Sequence, residues 1–501
     1  MKKFYVTTAI PYVNAKPHIG TAIDYLLADS LARYHHQRGE AVFFQVGVDE
    51  HGTKIAGKAE ELGKSPQAYT DEMAQTFEQF VKALNVKYSA FIRTTDQTHE
   101  KAAQTIWTQL KDYIYKGKYE GWYCVGCESF VTPKEATANN GVCPIHNQPY
   151  QQLSEENYFF KLSAFGQQIK DALIAGEMKI VPEFRQKEIL QLIESGLEDI
   201  SISRPKKHLS WGVPVPGDAD QVMYVWFEAL INYLSVLGYP DQPNYKTYWP
   251  ADVQVIGKDI IRFHAAIWPA MLISLELPLP KTLLVHGFVN AYGKKISKSL
   301  GNVVDPIEIV NGYGVDALRY YFLRHVPTQD DGDFTWEKFE NAYNNELGNE
   351  LGNLVQRVAS MINRYQNGVV GDLPQPEHDS GAYHEEFGDF HLDRAIEHVW
   401  LMVRNLNGYL EDVKPWELAK KPEEAEHLQE VLAYTVGSLQ QIADLLWPFL
   451  PASADAIKAI FKGGVINKYD GVLFPKIYNH TQDPRTAPKP APQTPKNDAA
   501  S

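Results

Sequence analysis

A chain of 501 residues is too long for one hydrophobic core and predicts about three domains. Its apolar fraction of 44% is ordinary for a globular protein, and the absence of an apolar run of about 18 residues excludes a spanning helix. A net charge of −14 argues against non-specific nucleic-acid binding through bulk electrostatics, so a nucleic-acid partner would need a local basic and aromatic surface.

The N-terminus begins Met1-Lys2-Lys3, basic like a leader, but its apolar stretch breaks at Thr7, Thr8 and Pro11. It reads as the first strand of the fold, and a cytoplasmic location is expected. Residues 4–8 and 41–48 read as buried strands, and between them Ile23, Leu26, Leu27, Leu31 and Tyr34 recur at helical spacing. Strand, helix, strand in so short a span is a βαβ unit and predicts an α/β fold with a parallel sheet. A second such set is expected at residues 252–256, in a helix after Lys258, and at residues 282–286. The two halves of the sheet are thus separated by a long insertion, residues 115–210. Beyond the lysine-rich segment near residue 295 the pattern turns helical. Leu347, Leu351, Leu354, Val358 and Met361 form an amphipathic stripe, and further helices are predicted at 391–410, 422–446 and 453–461. Residues 481–501 are rich in proline and nearly devoid of apolar residues, the composition of a disordered tail.

Pro17-His18-Ile19-Gly20 falls between the first strand and its helix. In an open parallel sheet that is the ligand end, where helix amides attract phosphate and a glycine lets backbone approach a nucleotide. Alone, His18 reads equally as a capping or surface histidine. The Gly-x-Gly-x-x-Gly dinucleotide fingerprint is missing there, which counts against a dehydrogenase. Far downstream, Asn290-Ala291-Tyr292-Gly293 reads as a flexible stretch leading into Lys295-Ile296-Ser297-Lys298-Ser299. Two lysines on a mobile loop can close over a triphosphate, although a solvated basic loop is the commoner meaning of such lysines. Three cysteines are too few for a disulfide framework. Cys124-x-x-Cys127 followed after 15 residues by Cys143-x-x-His146 supplies four ligands at zinc-knuckle spacing, closed to water and so structural. Asn353 and Arg357, four apart, could present an amide and a guanidinium to an unpaired base, and Trp416 a stacking plane.

His18–Gly20 and the Lys295–Ser299 segment together resemble the ATP signature of class I aminoacyl-tRNA synthetases, and the chain resembles the methionyl-tRNA synthetase family from Thr8-Ala9-Ile10-Pro11-Tyr12 to Leu473-Phe474-Pro475. The resemblance implies a Rossmann-like catalytic domain in two parts (1–114 and 211–289), a zinc-binding connective insertion (115–210), and a lysine-loop region contacting the tRNA stem (290–345). An α-helical bundle that reads the anticodon (346–480) and a Pro-rich tail (481–501) would follow. It implies His18, Lys295 and Lys298 as catalytic, with Gly20, Thr21, Ser297 and Ser299 also holding ATP. It implies a methionine site of Ala9, Ile10, Tyr12, Asp49, Arg204, Trp226, Ala229, Tyr233, Ile260, Phe263 and His264. There Asp49 would receive the ammonium, and aromatic edges would suit a soft thioether sulfur. Zinc at Cys124, Cys127, Cys143 and His146, Mg²⁺ accompanying ATP, and anticodon contacts from Asn353, Arg357 and Trp416 complete the set. The expected partners are ATP, L-methionine and tRNA(Met), with no membrane, and a monomer is expected.

One position departs from the family. Its signature usually ends in a second histidine, and here Thr21 stands there, a hydroxyl that can donate to phosphate but cannot carry charge. This keeps a catalytically silent tRNA-binding paralogue open as an alternative; another class I synthetase, such as a zinc-binding cysteinyl enzyme, is a separate one. Methionine-dependent ATP–pyrophosphate exchange separates all three.

Overall fold

The computed structural model describes residues 2–125, 129–131, 133–145, 147–296, 304–371, 373, 379–462, 466 and 471–477. Its centre is a six-stranded, wholly parallel sheet. Strand β1 (Lys3–Thr8) leads through helix α1 (Ile19–Gln37) to β2 (Ala41–Val48), and β3 (Ala90–Arg93) pairs outside β2. On the other flank of β1 lie Val253–Gly257, then Thr282–His286, then Lys179–Val181. The strand order reverses beside β1, so the crevice at the carboxyl ends of β1 and Val253–Gly257 is the place where such sheets bind ligands.

The expected strands and the crossover helix are where their apolar runs put them. The strand Lys179–Val181 is a different matter, because it lies inside the span expected to be insertion yet pairs with Thr282–Leu284 in the main sheet. Three residues are too few to generate a periodic signal. The rest of that span builds its own sheets. Ile114–Cys124 and Gln151–Phe160 pair antiparallel along ten residues, joined by Ser129–Val131 and Ile200–Ser201. A smaller sheet joins Ser203–Pro205 of that span to Pro214–Val215 and Asp218–Met223 beyond it.

The stretch around Tyr292 is not a loose loop, a correction to the sequence expectation. Val289–Ala291 and Lys294–Lys295 form an antiparallel hairpin, and Val289–Ala291 also pairs parallel with Gly332–Phe334. Tyr292 (φ 56°) and Gly293 (φ 69°) both lie in the left-handed region, the requirement of a tight primed turn, and Asp333 accepts from the Gly293 amide at 2.7 Å.

Beyond residue 340 the chain is helical, through Ala342–Gly352 with π geometry, Asn353–Gln366, Leu392–Val413, Ala425–Leu446 and Pro451–Ile460. The predicted stripe of Leu347, Leu351, Leu354, Val358 and Met361 is buried, and one apolar core runs from it to the α1 face of the sheet. A buried charge network fastens the same two regions. Asp29 of α1 binds Arg33 at 2.7 Å and Arg319 at 2.8 Å, and Arg319 donates to the carbonyls of Phe449 and Pro448. Charges this buried persist only with partners, so removing one would be strongly destabilising. Among the described residues, no helix is long and apolar enough to cross a membrane.

Candidate active site

Three segments converge on the reversal point of the sheet. Residues 9–13 continue from β1: the Ala9 amide donates to Val255 O at 3.0 Å, Asp49 N donates to Pro11 O at 2.9 Å, and Val13 N donates to Asp49 O at 3.1 Å. Tyr12 and Asp49 form a parallel bridge, so the end of β2 is laced to the β1 loop. This sets Ala9, Ile10, Tyr12 and Asp49 side by side, with Asp49 only 6% exposed. Burial of that degree leaves a carboxylate poorly solvated and strongly attractive to an ammonium.

The opposite wall comes from Val225–Ala229, Asn232–Ser235 and the turn Lys258–Ile260 with Phe263–Ile267. The Tyr233 hydroxyl lies 2.7 Å from His264 Nε2, and His264 Nδ1 lies 3.1 Å from the Ile260 carbonyl. A carbonyl can only accept, so Nδ1 donates and Nε2 accepts from the phenol. Burial pulls the His264 pKa down to about 4, so the ring is neutral and presents no charge to the pocket. Trp226 and Phe263 are half-buried and stacked, with centroids 3.9 Å apart and planes at 9°. The sequence reading expected ring edges around a sulfur atom; here the two rings spend one face each on one another. Ala229 is buried beside them.

Arg204 sits differently. Its strand pairs with Asp218–Met223 just beyond the insertion, while its guanidinium meets Glu155 at 3.2 Å and lies 4.4 Å over the Tyr123 ring, both within the insertion.

On the phosphate side, His18 is the N-cap of α1. Its Nδ1 accepts from Gly20 N at 3.0 Å, and Thr21 Oγ1 accepts from His18 N at 3.4 Å. The capping reading of His18 is thus realised in the structure, and it leaves the functional reading intact. With Nδ1 accepting, a neutral ring carries its proton on Nε2 as a fixed donor. Gly20 is required for the fold-back, because a Cβ there would come 2.9 Å from the ring. Thr21 has local work too, since its oxygen closes the capping box while its hydroxyl hydrogen remains able to donate. Lys295 is exposed on the hairpin, with Nζ 5.2 Å over the Phe288 ring. Ser297, Lys298 and Ser299 lie outside the described residues.

Two residues that sequence reasoning missed stand close by. His286 ends its strand with Nε2 2.9 Å from Asp24 of α1 and Nδ1 2.8 Å from Gly287 O. Burial opposes the charge on His286, but Asp24 outweighs it and the pKa is raised. Their separation in sequence gave no signal.

In the insertion, Cys124 pairs opposite Ser129 at the mouth of a hairpin, and Cys143 begins a tight turn in which Asn147 N donates back to Cys143 O at 2.8 Å. Both cysteines are buried in one small cluster with Val131, Ala136 and Tyr150. Two thiols at two turns of one cluster fit a thiolate-held metal. Cys127 and His146 lie outside the described residues.

In the helical region, Asn353 is exposed at the start of its helix. One turn on, Arg357 pairs with Glu411 and donates to Asn407 Oδ1 at 3.1 Å. Both partners belong to Leu392–Val413, which ends at Lys414 (φ 51°) just before half-buried Trp416. Arg357 is therefore tied to the helix whose end carries the tryptophan.

Comparison with known proteins agrees with this geometry. The family model "tRNA synthetases class I (M)" matches residues 4–152 and 138–359. The methionine–tRNA ligase of Thermotoga maritima is 40% identical over 474 residues, covering 91% of this chain and 74% of that protein. The methionine–tRNA ligase of Streptomyces coelicolor is 39% identical over 480 residues, with 91% and 89% covered. Mycobacterium tuberculosis methionyl-tRNA synthetase in complex with methionyl-adenylate superimposes with a TM-score of 0.89 at 36% identity, covering 95% of this chain and all of that one. A carboxylate-bearing pocket and a capped histidine at one sheet crevice, with matches of this length around them, have one reading: the chain belongs to the methionyl-tRNA synthetase family of class I aminoacyl-tRNA synthetases.

Proposed function

We propose that this chain is a methionine–tRNA ligase that works in two steps. A carboxylate oxygen of methionine attacks the α-phosphorus of ATP, the bond to the bridging oxygen breaks, and pyrophosphate leaves. A hydroxyl of the terminal ribose of tRNA(Met) then attacks the carbonyl carbon, and AMP leaves. The observation that carries this reading is the meeting of buried Asp49 and the neutral Tyr233–His264 wall with the His18 cap at one crevice of the sheet. In it, Asp49 takes the ammonium, while Ala9, Ile10, Tyr12, Trp226, Ala229, Tyr233, Ile260, Phe263 and His264 enclose the thioether chain. Arg204, paired with Glu155, lies near the methionine carboxylate and the adenylate. His18 Nε2–H, with Gly20, Thr21, Lys295, Ser297, Lys298 and Ser299, stabilises charge that grows on the phosphates. No covalent enzyme intermediate is required.

Cys124, Cys127, Cys143 and His146 would hold one zinc ion, which closes the turns of the insertion, and Mg²⁺ enters with the nucleotide. Asn353, Arg357 and Trp416 read the anticodon, and the domain limits follow the sequence division given above, except that Lys179–Val181 joins the main sheet. We take the protein to be a cytoplasmic monomer. Methionine-dependent ATP–pyrophosphate exchange, followed by charging of tRNA(Met), tests the function. Absence of exchange from folded protein supplied with zinc and Mg²⁺ would favour the silent paralogue. Elemental analysis finding no zinc in folded, active protein would remove the metal.

A further inference from the structure

One buried acid takes no part in the chemistry above. Glu228 is fully buried within the apolar run Tyr224-Val225-Trp226-Phe227-Glu228-Ala229-Leu230. Its Oε1 lies 2.9 Å from His51 Nδ1 and its Oε2 lies 2.7 Å from His99 Nε2. His51 is 3% exposed and His99 is 0% exposed, so water does not compete. An ionised carboxylate only accepts, so both imidazoles donate and the acid is held on two sides. His99 Nδ1 lies 2.8 Å from Ser235 Oγ, which anchors the ring to the next turn of the same wall.

The position of these bonds matters more than their number. His51 is two residues after Asp49, and Glu228 lies between Trp226 and Ala229. A second tether runs parallel. Gln45, four residues before Asp49, donates to Asn232 Oδ1 at 2.9 Å, and Asn232 donates to Ala229 O at 2.6 Å. Asp49 is thus bracketed by two buried bridges, one from Gln45 of β2 to Asn232 of the helix Asn232–Ser235 and one from His51, just beyond the strand, to Glu228 of the helix carrying Trp226 and Ala229. Together they tie the segment carrying Asp49 to the wall carrying Trp226 and Ala229.

We infer that Glu228 is a positioning residue for amino-acid selection, acting through His51 and His99 to set the distance between Asp49 and the Trp226–Ala229 wall. This rests on the methionine-site reading above. An energetic case supports it: a buried, charge-assisted bond is expensive to leave unmade, so a fold that keeps two of them holds its geometry tightly.

The test is steady-state pyrophosphate exchange with methionine, and with a homologue one methylene longer at sulfur. In Glu228→Gln an amide must face two N–H donors and can accept from only one side, so the wall loosens. The KM for methionine should rise about tenfold, the cost of one such bond. The KM for ATP should stay within about twofold, and preference for methionine over the longer thioether should fall. His51 supplies an independent pair of variants. Asparagine places its amide where Nδ1 was, so His51→Asn should keep the methionine KM within a few-fold, whereas His51→Gln should raise it as Glu228→Gln does. If Glu228→Gln does not fold, this pair decides alone. Folded variants with unchanged methionine KM and selectivity, or His51→Asn and His51→Gln behaving alike, overturn the inference. Wild-type protein that gives no methionine-dependent exchange would instead sink the functional reading on which it rests.

Discussion

The two sides of the crevice are built in opposite ways. On the amino-acid side, polar groups are buried and already partnered: the Tyr233 phenol on His264, Glu228 on two imidazoles, Gln45 on Asn232. On the phosphate side, Lys295 is exposed and the His18 ring is engaged by its own helix. The difference follows the chemistry. Choosing a thioether over a branched chain needs a fixed, uncharged cavity, because shape is read only by walls that do not move. Stabilising phosphate charge needs donors and cations, which can stay hydrated until the nucleotide brings its own charge.

The sharpest way to break this contrast is at Asp49. In Asp49→Ala, a bound ammonium would be left without its partner in a poorly solvated site, at a cost of about 4 kcal/mol. The account expects kcat/KM for methionine in pyrophosphate exchange to fall about 10³-fold, with the KM for ATP little changed. A fall of less than tenfold would move the ammonium elsewhere.

At His18 capping and catalysis can be separated. His18→Ala removes both and should lower the rate of adenylate formation about 10²–10³-fold, the loss typical of one preorganised donor. Asparagine is a good N-cap, so His18→Asn should recover thermal stability while remaining slow. Thr21→Ala should cost less than either. Recovery of full rate in His18→Asn would reduce His18 to a structural cap.

Trp416→Ala carries the comparison to the far end of the molecule. Losing base stacking removes about 1–3 kcal/mol, so tRNA charging should weaken while methionine-dependent exchange stays normal. Equal loss in both assays would mean that Trp416 serves folding.

The last effect is on stability alone and leaves activity at neutral pH unchanged. His264 sits at about 4, against an ordinary 6.5, so between those values the unfolded chain binds a proton that the native chain refuses. Stability therefore rises with pH across that window and is lost as pH falls through it, by up to about 3 kcal/mol. His51, whose pKa is raised because Glu228 outweighs burial, contributes with the opposite sign and loses its contribution as pH rises through its folded value. Chemical unfolding of His264→Asn and wild type at pH 7 and pH 4.5 isolates the His264 part. An identical drop in both proteins would contradict it.

What the sequence disclosed and what it hid divide along local and non-local lines. The βαβ units, the helical stripe and the long C-terminal helices were legible because each advertises itself within one element. The hairpin at residues 289–295 was not, because Tyr-Gly is a weaker turn signal than Asn-Gly and its third strand lies some forty residues on. Lys179–Val181 was too short to register. The Glu228 network was out of reach, since its bonds to His51 and His99 join residues 177 and 129 positions apart. One clue was available: a single acid inside an apolar run is costly to bury and asks for a partner.

The claim that the amino-acid side is finished before the nucleotide arrives is tested most directly by calorimetric titration of methionine into wild-type enzyme without ATP. The account predicts saturable binding with a Kd within a few-fold of the methionine KM, abolished in Asp49→Ala. Methionine that binds only after ATP is added, or that binds Asp49→Ala as it binds wild type, would contradict it.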